Sequence, residues 1–129
     1  MDANNSKYKK HILVCTKERP IENHKGCCLH KGGLKIRNRF VQLINQHGLK
    51  GKIRATKSGC MDVCELGPIV VIYPQDIWYT RVTIDDVEEI FTSSVLANSI
   101  VERLAAEDTT WIEWKHLREK SNKILKESQ

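Results

Sequence analysis

Residues 69–79 read Ile-Val-Val-Ile-Tyr-Pro-Gln-Asp-Ile-Trp-Tyr and contain the clearest strand signal in the chain. The first five residues, Ile69 to Tyr73, are apolar without alternation, which is typical of a strand covered on both faces. The Pro-Gln-Asp that follows supplies turn chemistry, so we predict that Ile77 to Val82 returns as the second arm of a hairpin. Helices from elsewhere in the chain must then pack against both faces of the sheet.

The residues before this hairpin predict a strand–helix–strand unit. His11 to Cys15 has the pattern of a short buried strand, and Lys52 to Thr56 predicts a second strand that pairs parallel to the first. An amphipathic helix lies between them, with Gly48 as its C-terminal cap. Its predicted buried face comprises Ile36, Phe40, Leu43, Ile44 and His47.

Two further helices are predicted after the hairpin. Thr83 opens the first, and acidic residues fill its first turns, where the backbone dipole favours negative charge. Its predicted buried face comprises Ile84, Val87, Phe91 and Val95. The second begins at Thr110, which forms a capping-box pattern with Glu113. Its apolar stripe comprises Trp111, Trp114, Leu117, Ile124 and Leu125, and we expect this stripe to dock on the domain.

This order of elements predicts the fold class. A βαβ unit followed by ββα is the thioredoxin-like α/β arrangement, with a four-stranded mixed sheet, flanking helices and here an extra C-terminal helix. The 129 residues, of which 40% are hydrophobic, are enough for one domain with its own core. No apolar run is long enough to span a membrane, and the first ten residues are polar. We therefore expect a cytoplasmic protein without a secretion signal.

The charge is unevenly distributed along the chain. The formal net charge is +5, but residues 1–50 carry 11 Lys/Arg against 3 Asp/Glu, whereas residues 83–108 carry 1 against 7. Such blocks fit either solvated helix faces or a basic surface that steers an acidic partner. Binding to nucleic acid is not favoured, because no RNA-binding motif, helix-turn-helix or basic strand interleaved with aromatic residues occurs.

Five cysteines in a cytoplasmic chain indicate metal or redox chemistry rather than structural disulfides. Cys60 and Cys64 are four positions apart, so one helical turn brings their sulfurs side by side. Cys15 precedes a loop of about seventeen residues, 16–32, which is long for a compact domain, and Cys28 lies within this loop. Both groups follow strand ends on one side of the predicted sheet, and four thiolates can hold the two irons of a 2Fe–2S cluster. Cys27 is a possible alternate ligand, or a small buried hydrophobe.

Other metal or thiol sites fit these spacings less well. Structural zinc prefers two close pairs of ligands, and only Cys60 and Cys64 form such a pair. A Rieske centre needs two histidines as ligands, and neither of these two cysteines has one beside it. A thioredoxin-type dithiol needs Cys-x-x-Cys at the start of the first helix, which this chain lacks.

The chain resembles a known family through several motifs. They are Cys-x12-Cys followed by Cys-x3-Cys, Ser58-Gly59-Cys60-Met61, Gly67-Pro68, Val71-Ile72-Tyr73-Pro74 and Trp78-Tyr79. With them, residues 10–104 resemble the thioredoxin-like 2Fe–2S ferredoxins. The resemblance implies a 2Fe–2S cofactor, and its ligands would be Cys15, Cys28, Cys60 and Cys64. It also implies a homodimer and a one-electron carrier with no enzyme activity.

The expected organisation follows from the extent of this resemblance, and the expected partners follow from the basic charge of the N-terminal half. Residues 1–9 would form a flexible tail, residues 10–106 the thioredoxin-like 2Fe–2S ferredoxin domain, and residues 107–129 a C-terminal helical extension. We expect acidic redox proteins as partners, and neither nucleic acid nor membrane. A basic surround formed by Lys17, Arg19, Lys25 and Lys31 would raise the reduction potential above that of plant-type ferredoxins. The alternatives are a cluster-free or zinc-bound interaction or assembly module and, less favoured, a basic nucleic-acid-binding domain.

Overall fold

A computed structural model describes residues 7–16, 32–59 and 66–127, with side chains described up to Lys120. Within these ranges, the elements follow the predicted order. The strands and the first helix are β1 (Lys10–Cys15), α1 (Gly33–Gln46), β2 (Ile53–Ser58), β3 (Val70–Tyr73) and β4 (Ile77–Tyr79). A 3₁₀ turn (Ile84–Asp86), helix α2 (Val87–Ile90) and a π-helical stretch (Phe91–Leu96) follow without a break, and α3 (Asp108–Glu127) comes last.

The four strands form one mixed sheet in the order β2-β1-β3-β4. β1 pairs parallel with β2 and antiparallel with β3, and β3 pairs antiparallel with β4. The two central strands, β1 and β3, carry the most apolar sequences because both of their faces are covered. The predicted βαβ unit and hairpin are thus confirmed, although the second arm of the hairpin ends at Tyr79 and not at Val82. The fold is the predicted thioredoxin-like α/β class.

The larger core lies between one face of the sheet and the helices α1 and α2. Ile36, Phe40, Leu43 and Ile44 are all buried on α1, as predicted. The prediction for His47 is wrong, because α1 has already ended and this residue is exposed at its C-cap. Its Nδ1 lies 2.8 Å from the carbonyl oxygen of Leu43. Gly48 then adopts φ +65°, a left-handed conformation that ends the helix as predicted.

The helix that follows Thr83 differs from the prediction in its first turn. Val87, Phe91 and Val95 are buried, but Ile84 is 46% exposed and Ile90 is buried instead. The first turn is a 3₁₀ turn, whose tighter winding of 3.0 residues per turn moves Ile84 off the apolar face. Asp86 replaces it as the inward-facing residue of that turn, and is only 8% exposed.

Helix α3 covers the other face of the sheet. Trp111, Trp114 and Leu117 pack against a second, smaller apolar cluster, which comprises Cys15, Leu66, Ile69 and Val71. The expected docking of this stripe on the domain is therefore confirmed for these three residues, while the side chains of Ile124 and Leu125 lie outside the described residues.

The predicted capping box of α3 is wrong. The helix starts at Asp108, two residues before Thr110. The backbone N–H of Glu107 donates to Thr110 Oγ1 at 3.0 Å, so Thr110 bonds back to the start of the helix from within its first turn. Glu113 forms an ion pair with Arg81 instead of acting as a cap.

Candidate metal centre

Cys15 is the last residue of β1, and its side chain lies on the face of the sheet that α3 covers. It is 1% exposed and packs in the small apolar cluster with Leu66, Ile69 and Val71. Its backbone N–H donates to the carbonyl oxygen of Ile69 at 3.1 Å, which ties the end of β1 to the residue before β3. The thiol therefore has a fixed, dry position at one end of the sheet.

The parallel pairing of β1 and β2 brings the chain into the Cys60–Cys64 segment beside Cys15. Cys15 and Ser58 are partners in the register of the two strands. The N–H of Thr16 donates to the carbonyl oxygen of Ser58 at 3.2 Å and extends the pairing by one residue. Cys60 is two residues beyond Ser58, and two residues span at most about 7 Å.

The far end of the same segment is also anchored near Cys15. Leu66 is fully buried in the cluster that contains Cys15, and its carbonyl oxygen accepts from the N–H of Arg81 at 2.7 Å. Cys64 precedes Leu66 by two residues, so the limit of about 7 Å applies to it as well. Ser58 and Leu66, which flank residues 60–65 in the sequence, thus both lie next to the end of β1.

Gly32, the first described residue after Cys27 and Cys28, lies at the same end of the sheet. It lines a cavity of about 440 Å³ together with Gly67 and Pro68. Gly32 has φ +98°, a conformation that favours glycine, and it allows the backbone to turn directly into α1. The chain therefore leaves this end of the sheet at Thr16 and comes back to it at Gly32.

The structure thus describes one of the candidate ligands directly. Cys15 occupies the predicted position at a strand end, whereas Cys27, Cys28, Cys60 and Cys64 lie outside the described residues. Within residues 7–16, 32–59 and 66–120, no three His, Cys, Asp or Glu side chains form a group that could hold a metal ion. The complete ligand set remains a prediction, supported by the anchor points at the end of the sheet.

The residues that surround this end fit an iron–sulfur centre. A buried thiol in an apolar setting suits a soft metal centre, because thiolates are the ligands of iron–sulfur clusters and a dry shell limits access of water. The sequence placed four cations around the ligands, Lys17, Arg19, Lys25 and Lys31, and all four lie outside the described residues.

Two other cations, which the sequence analysis did not select, line the cavity beside Gly32. They are Lys35 on the first turn of α1 and Arg81, which follows β4. The position of Lys35 could have been inferred from the sequence, because it lies two residues after the Gly32-Gly33 pair at the start of the helix. Arg81 is identified by tertiary contacts, which are the hydrogen bond from its backbone N–H to Leu66 and the ion pair of its side chain with Glu113.

The described residues contain no helix that combines the length and the apolar character needed to cross a membrane.

The chain matches no protein-family model. Sequence comparison does find relatives. One is a 2Fe–2S ferredoxin from Clostridium pasteurianum, 38% identical over 96 residues, which cover 74% of this chain and 94% of the relative. Another is a 2Fe–2S ferredoxin from Aquifex aeolicus (strain VF5), 35% identical over 96 residues, or 74% of this chain and 86% of that protein.

Structural comparison gives the same result. The crystal structure of the wild-type thioredoxin-like [2Fe-2S] ferredoxin from Aquifex aeolicus superposes with a TM-score of 0.73 and 33% identity, covering 80% of this chain and 100% of that one. The fold and the cysteine-bearing end of the sheet define a thioredoxin-like iron–sulfur class of protein. With relatives of this identity and coverage, the chain belongs to the thioredoxin-like 2Fe–2S ferredoxin family.

Proposed function

We propose that the chain carries one electron at a time between redox proteins through a 2Fe–2S cluster held by Cys15, Cys28, Cys60 and Cys64. The 2Fe–2S ferredoxins are electron carriers, and this chain's relatives are ferredoxins of that kind. The observation that supports the ligand assignment is the position of Cys15 beside Ser58 and Leu66, which flank residues 60–65 in the sequence.

When bound, the cluster supplies reversible one-electron chemistry, and the protein supplies position and surroundings. The end of β1 fixes one thiolate through the hydrogen bond between the N–H of Cys15 and Ile69. The apolar cluster beneath α3 keeps water from that side of the centre. We propose no substrate site and no bond-making step for this chain.

The first test is the metal content of the protein as purified without oxygen. Two irons and two acid-labile sulfides per chain, with visible absorption that dithionite bleaches, support the proposal. Colourless protein that contains zinc, or no metal at all, would favour the alternative of an interaction or assembly module with the same fold.

The choice between the adjacent cysteines needs its own experiment. We propose Cys28 as the ligand because the family's second ligand follows a glycine and a small residue, as in Gly26-Cys27-Cys28. Cys28→Ser should remove the cluster or shift its visible spectrum, while Cys27→Ser should leave the spectrum unchanged. The reverse result would assign the role to Cys27.

The charges near the proposed centre suggest the class of partner. Lys35 and Arg81 line the cavity at this end of the sheet, and the half-exposed Ile84 lies beside them. Arg81 forms an ion pair with Glu113, so Lys35 supplies the positive charge of this rim. A cationic rim with an apolar element fits a negatively charged redox protein, whose approach it would accelerate at low salt. We propose such an acidic protein as the partner.

A homodimer and a cytoplasmic location complete the proposed function. The homodimer is suggested by the resemblance to the family, and the location by the use of cysteines as thiolates rather than in disulfides. Sedimentation of the cluster-bearing protein at micromolar concentration tests the dimer, because a species of one chain mass, 14.9 kDa, would contradict it.

A further inference from the structure

Trp114 on α3 has a buried hydrogen-bond donor without an acceptor. Its indole Nε1 is inaccessible to water, and no described residue accepts a hydrogen bond from it. Trp78, on the sheet below, shows the usual arrangement, since its Nε1 donates to Asp76 Oδ1 at 2.9 Å. Buried polar groups in native proteins are nearly always paired, so the N–H of Trp114 indicates that an acceptor lies among groups that the described residues do not include.

The surroundings of Trp114 show which part of the molecule that acceptor belongs to. Its ring packs against the apolar cluster that contains both Cys15 and Leu66. The preceding residue, Glu113, forms an ion pair with Arg81, whose backbone N–H binds the carbonyl oxygen of Leu66. Trp114 is therefore held beside the point where residues 60–65 rejoin the described structure.

Two other contacts fix the orientation of this part of α3. The guanidinium carbon of Arg118 lies 5.3 Å from the centre of the Trp114 ring, in a cation–π contact one helical turn further along. One turn earlier, the rings of Trp111 and Trp78 meet edge to face with their centres 5.9 Å apart. The first contact holds the ring of Trp114 itself, and the second holds the preceding turn of α3 on the sheet.

We propose that the N–H of Trp114 donates a hydrogen bond to a sulfur of the 2Fe–2S centre, either a cysteine thiolate or a bridging sulfide. This inference rests on the proposed function, because it needs the centre to be present. Thiolates and sulfides accept hydrogen bonds, and the donors around the sulfurs are among the features that set the reduction potential of an iron–sulfur cluster. Trp114 lies outside the stretch of residues 10–104 that resembles the ferredoxin family, so α3 would supply a donor that this stretch does not contain.

The proposed hydrogen bond should change the reduction potential of the centre in one direction. The reduced centre is more negative than the oxidised one, so a donor to its sulfur stabilises the reduced form more strongly and raises the reduction potential. Trp114 would then act on electron transfer without being a ligand.

The test compares Trp114→Phe with Trp111→Phe, both measured on cluster-bearing protein by spectroelectrochemical titration. Phenylalanine keeps one aromatic ring but removes the N–H together with the five-membered ring of the indole, and Trp111→Phe controls for the same loss of volume. We expect a more negative potential for Trp114→Phe and an unchanged potential for Trp111→Phe. Equal potentials for wild type and Trp114→Phe, or equal shifts in the two variants, would overturn the proposal, because the effect would then be absent or due to general packing.

A second measurement uses the wild-type chain and does not depend on the folding of the Trp114 variant. The protein contains three tryptophans, so ¹⁵N-labelled indoles give three N–H resonances, of which Trp78→Phe and Trp111→Phe assign two. A donor bonded to a cluster sulfur lies within a few ångströms of iron, and the Trp114 resonance should be broadened or strongly shifted in the reduced protein. A sharp, unshifted Trp114 resonance would show that its acceptor is another group, such as a backbone carbonyl of residues 60–65.

The two proposals can fail separately. A wild-type protein without iron and sulfide contradicts the electron-carrier function, whereas a cluster-bearing wild type with an unshifted Trp114 resonance contradicts only the hydrogen bond. The iron and sulfide content of each sample is therefore measured before its potential.

Discussion

Cys15 and Ser58 are register partners at the carboxyl ends of the parallel strands β1 and β2. The hydrogen bond from Thr16 to Ser58 continues the pairing past the end of both strands, at 3.2 Å. The geometry of the sheet thereby fixes where the Cys60–Cys64 segment begins, independently of any metal. In the proposed site, Cys15 would be the one ligand on a strand, and the other three proposed ligands belong to the segments that follow β1 and β2 in the sequence.

The first prediction concerns Cys15. Cys15→Ser should retain the fold, as measured by far-ultraviolet circular dichroism, but lose the cluster or shift its visible bands, because a hydroxyl is a poorer ligand for iron than a thiolate. The matched control is Ser58→Ala, a small change at the same register position of the neighbouring strand. A Cys15→Ser protein with the wild-type spectrum and iron content would remove Cys15 from the ligand set.

The second prediction concerns the cationic rim. Lys35→Glu should slow reduction of the cluster by a negatively charged redox protein by up to about tenfold at low salt, because attraction becomes repulsion at the docking site. The control is Lys50→Glu, an exposed lysine before β2 at the opposite end of the sheet. Stopped-flow rates measure the effect, and it should fade above about 0.1 M salt, where the screening length falls below about 10 Å. Equal rates for both variants would argue against docking at this rim.

The sequence was sufficient for the parts of the fold that depend on local patterns. The unbroken apolar run of β3 and the i, i+3, i+4 spacing on α1 each require one kind of element, and both are present. The prediction for Ile84 failed because the geometry of the first turn depends on Asp86, which turns inward to bond Thr83 and Arg103. The periodicity of apolar residues does not show that a hydrogen-bonded aspartate, and not Ile84, faces inward in this turn.

Only part of the candidate site could be predicted from the sequence. Cys15 follows an apolar run, so its place at a strand end could be inferred from sequence. The position of Arg81 at the cavity and the buried N–H of Trp114 could not be inferred from sequence, because both depend on the packing of α3 over the sheet. The direction in which a helix crosses a sheet depends on many tertiary contacts and leaves no local signal in the sequence.

The third prediction concerns a buried hydroxyl in the larger core. Tyr79 is fully buried, and its Oη accepts from the N–H of Val101 at 2.9 Å and also bonds Ser94 Oγ. Tyr79→Phe should lower the free energy of unfolding by about 1–3 kcal/mol, because the Val101 N–H loses its acceptor inside the protein. Urea unfolding measures this loss. Tyr73→Phe, at a half-buried position on β3, is the control and should cost less; equal losses would contradict the importance of the Val101 bond.

The last prediction concerns the pH dependence of stability. Burial by itself would raise the pKa of the Asp86 carboxyl, but hydrogen bonds from Thr83 and Arg103 outweigh burial and hold that pKa below its ordinary value. The backbone N–H of Thr83 donates at 2.8 Å to one carboxylate oxygen, and Arg103 donates at 2.8 Å to the other. A lowered pKa means that the ionised carboxylate stabilises the folded state at neutral pH. That contribution is present above the ordinary pKa of an aspartate and is lost as the pH falls through the lower folded value.

Asp86→Asn should therefore lower the free energy of unfolding by about 1–2 kcal/mol at pH 7, since the amide keeps the size but loses the charge-assisted bonds. The difference from wild type should begin to shrink as the pH falls below about 4, where Asp86 of the unfolded wild-type chain starts to take up protons and the folded carboxyl is still ionised. Urea unfolding at several pH values checks both points. The control is Asp85→Asn, an exposed residue of the same turn, for which we expect less than about 0.5 kcal/mol. A loss for Asp86→Asn that stays constant with pH would show that packing, and not charge, makes the contribution.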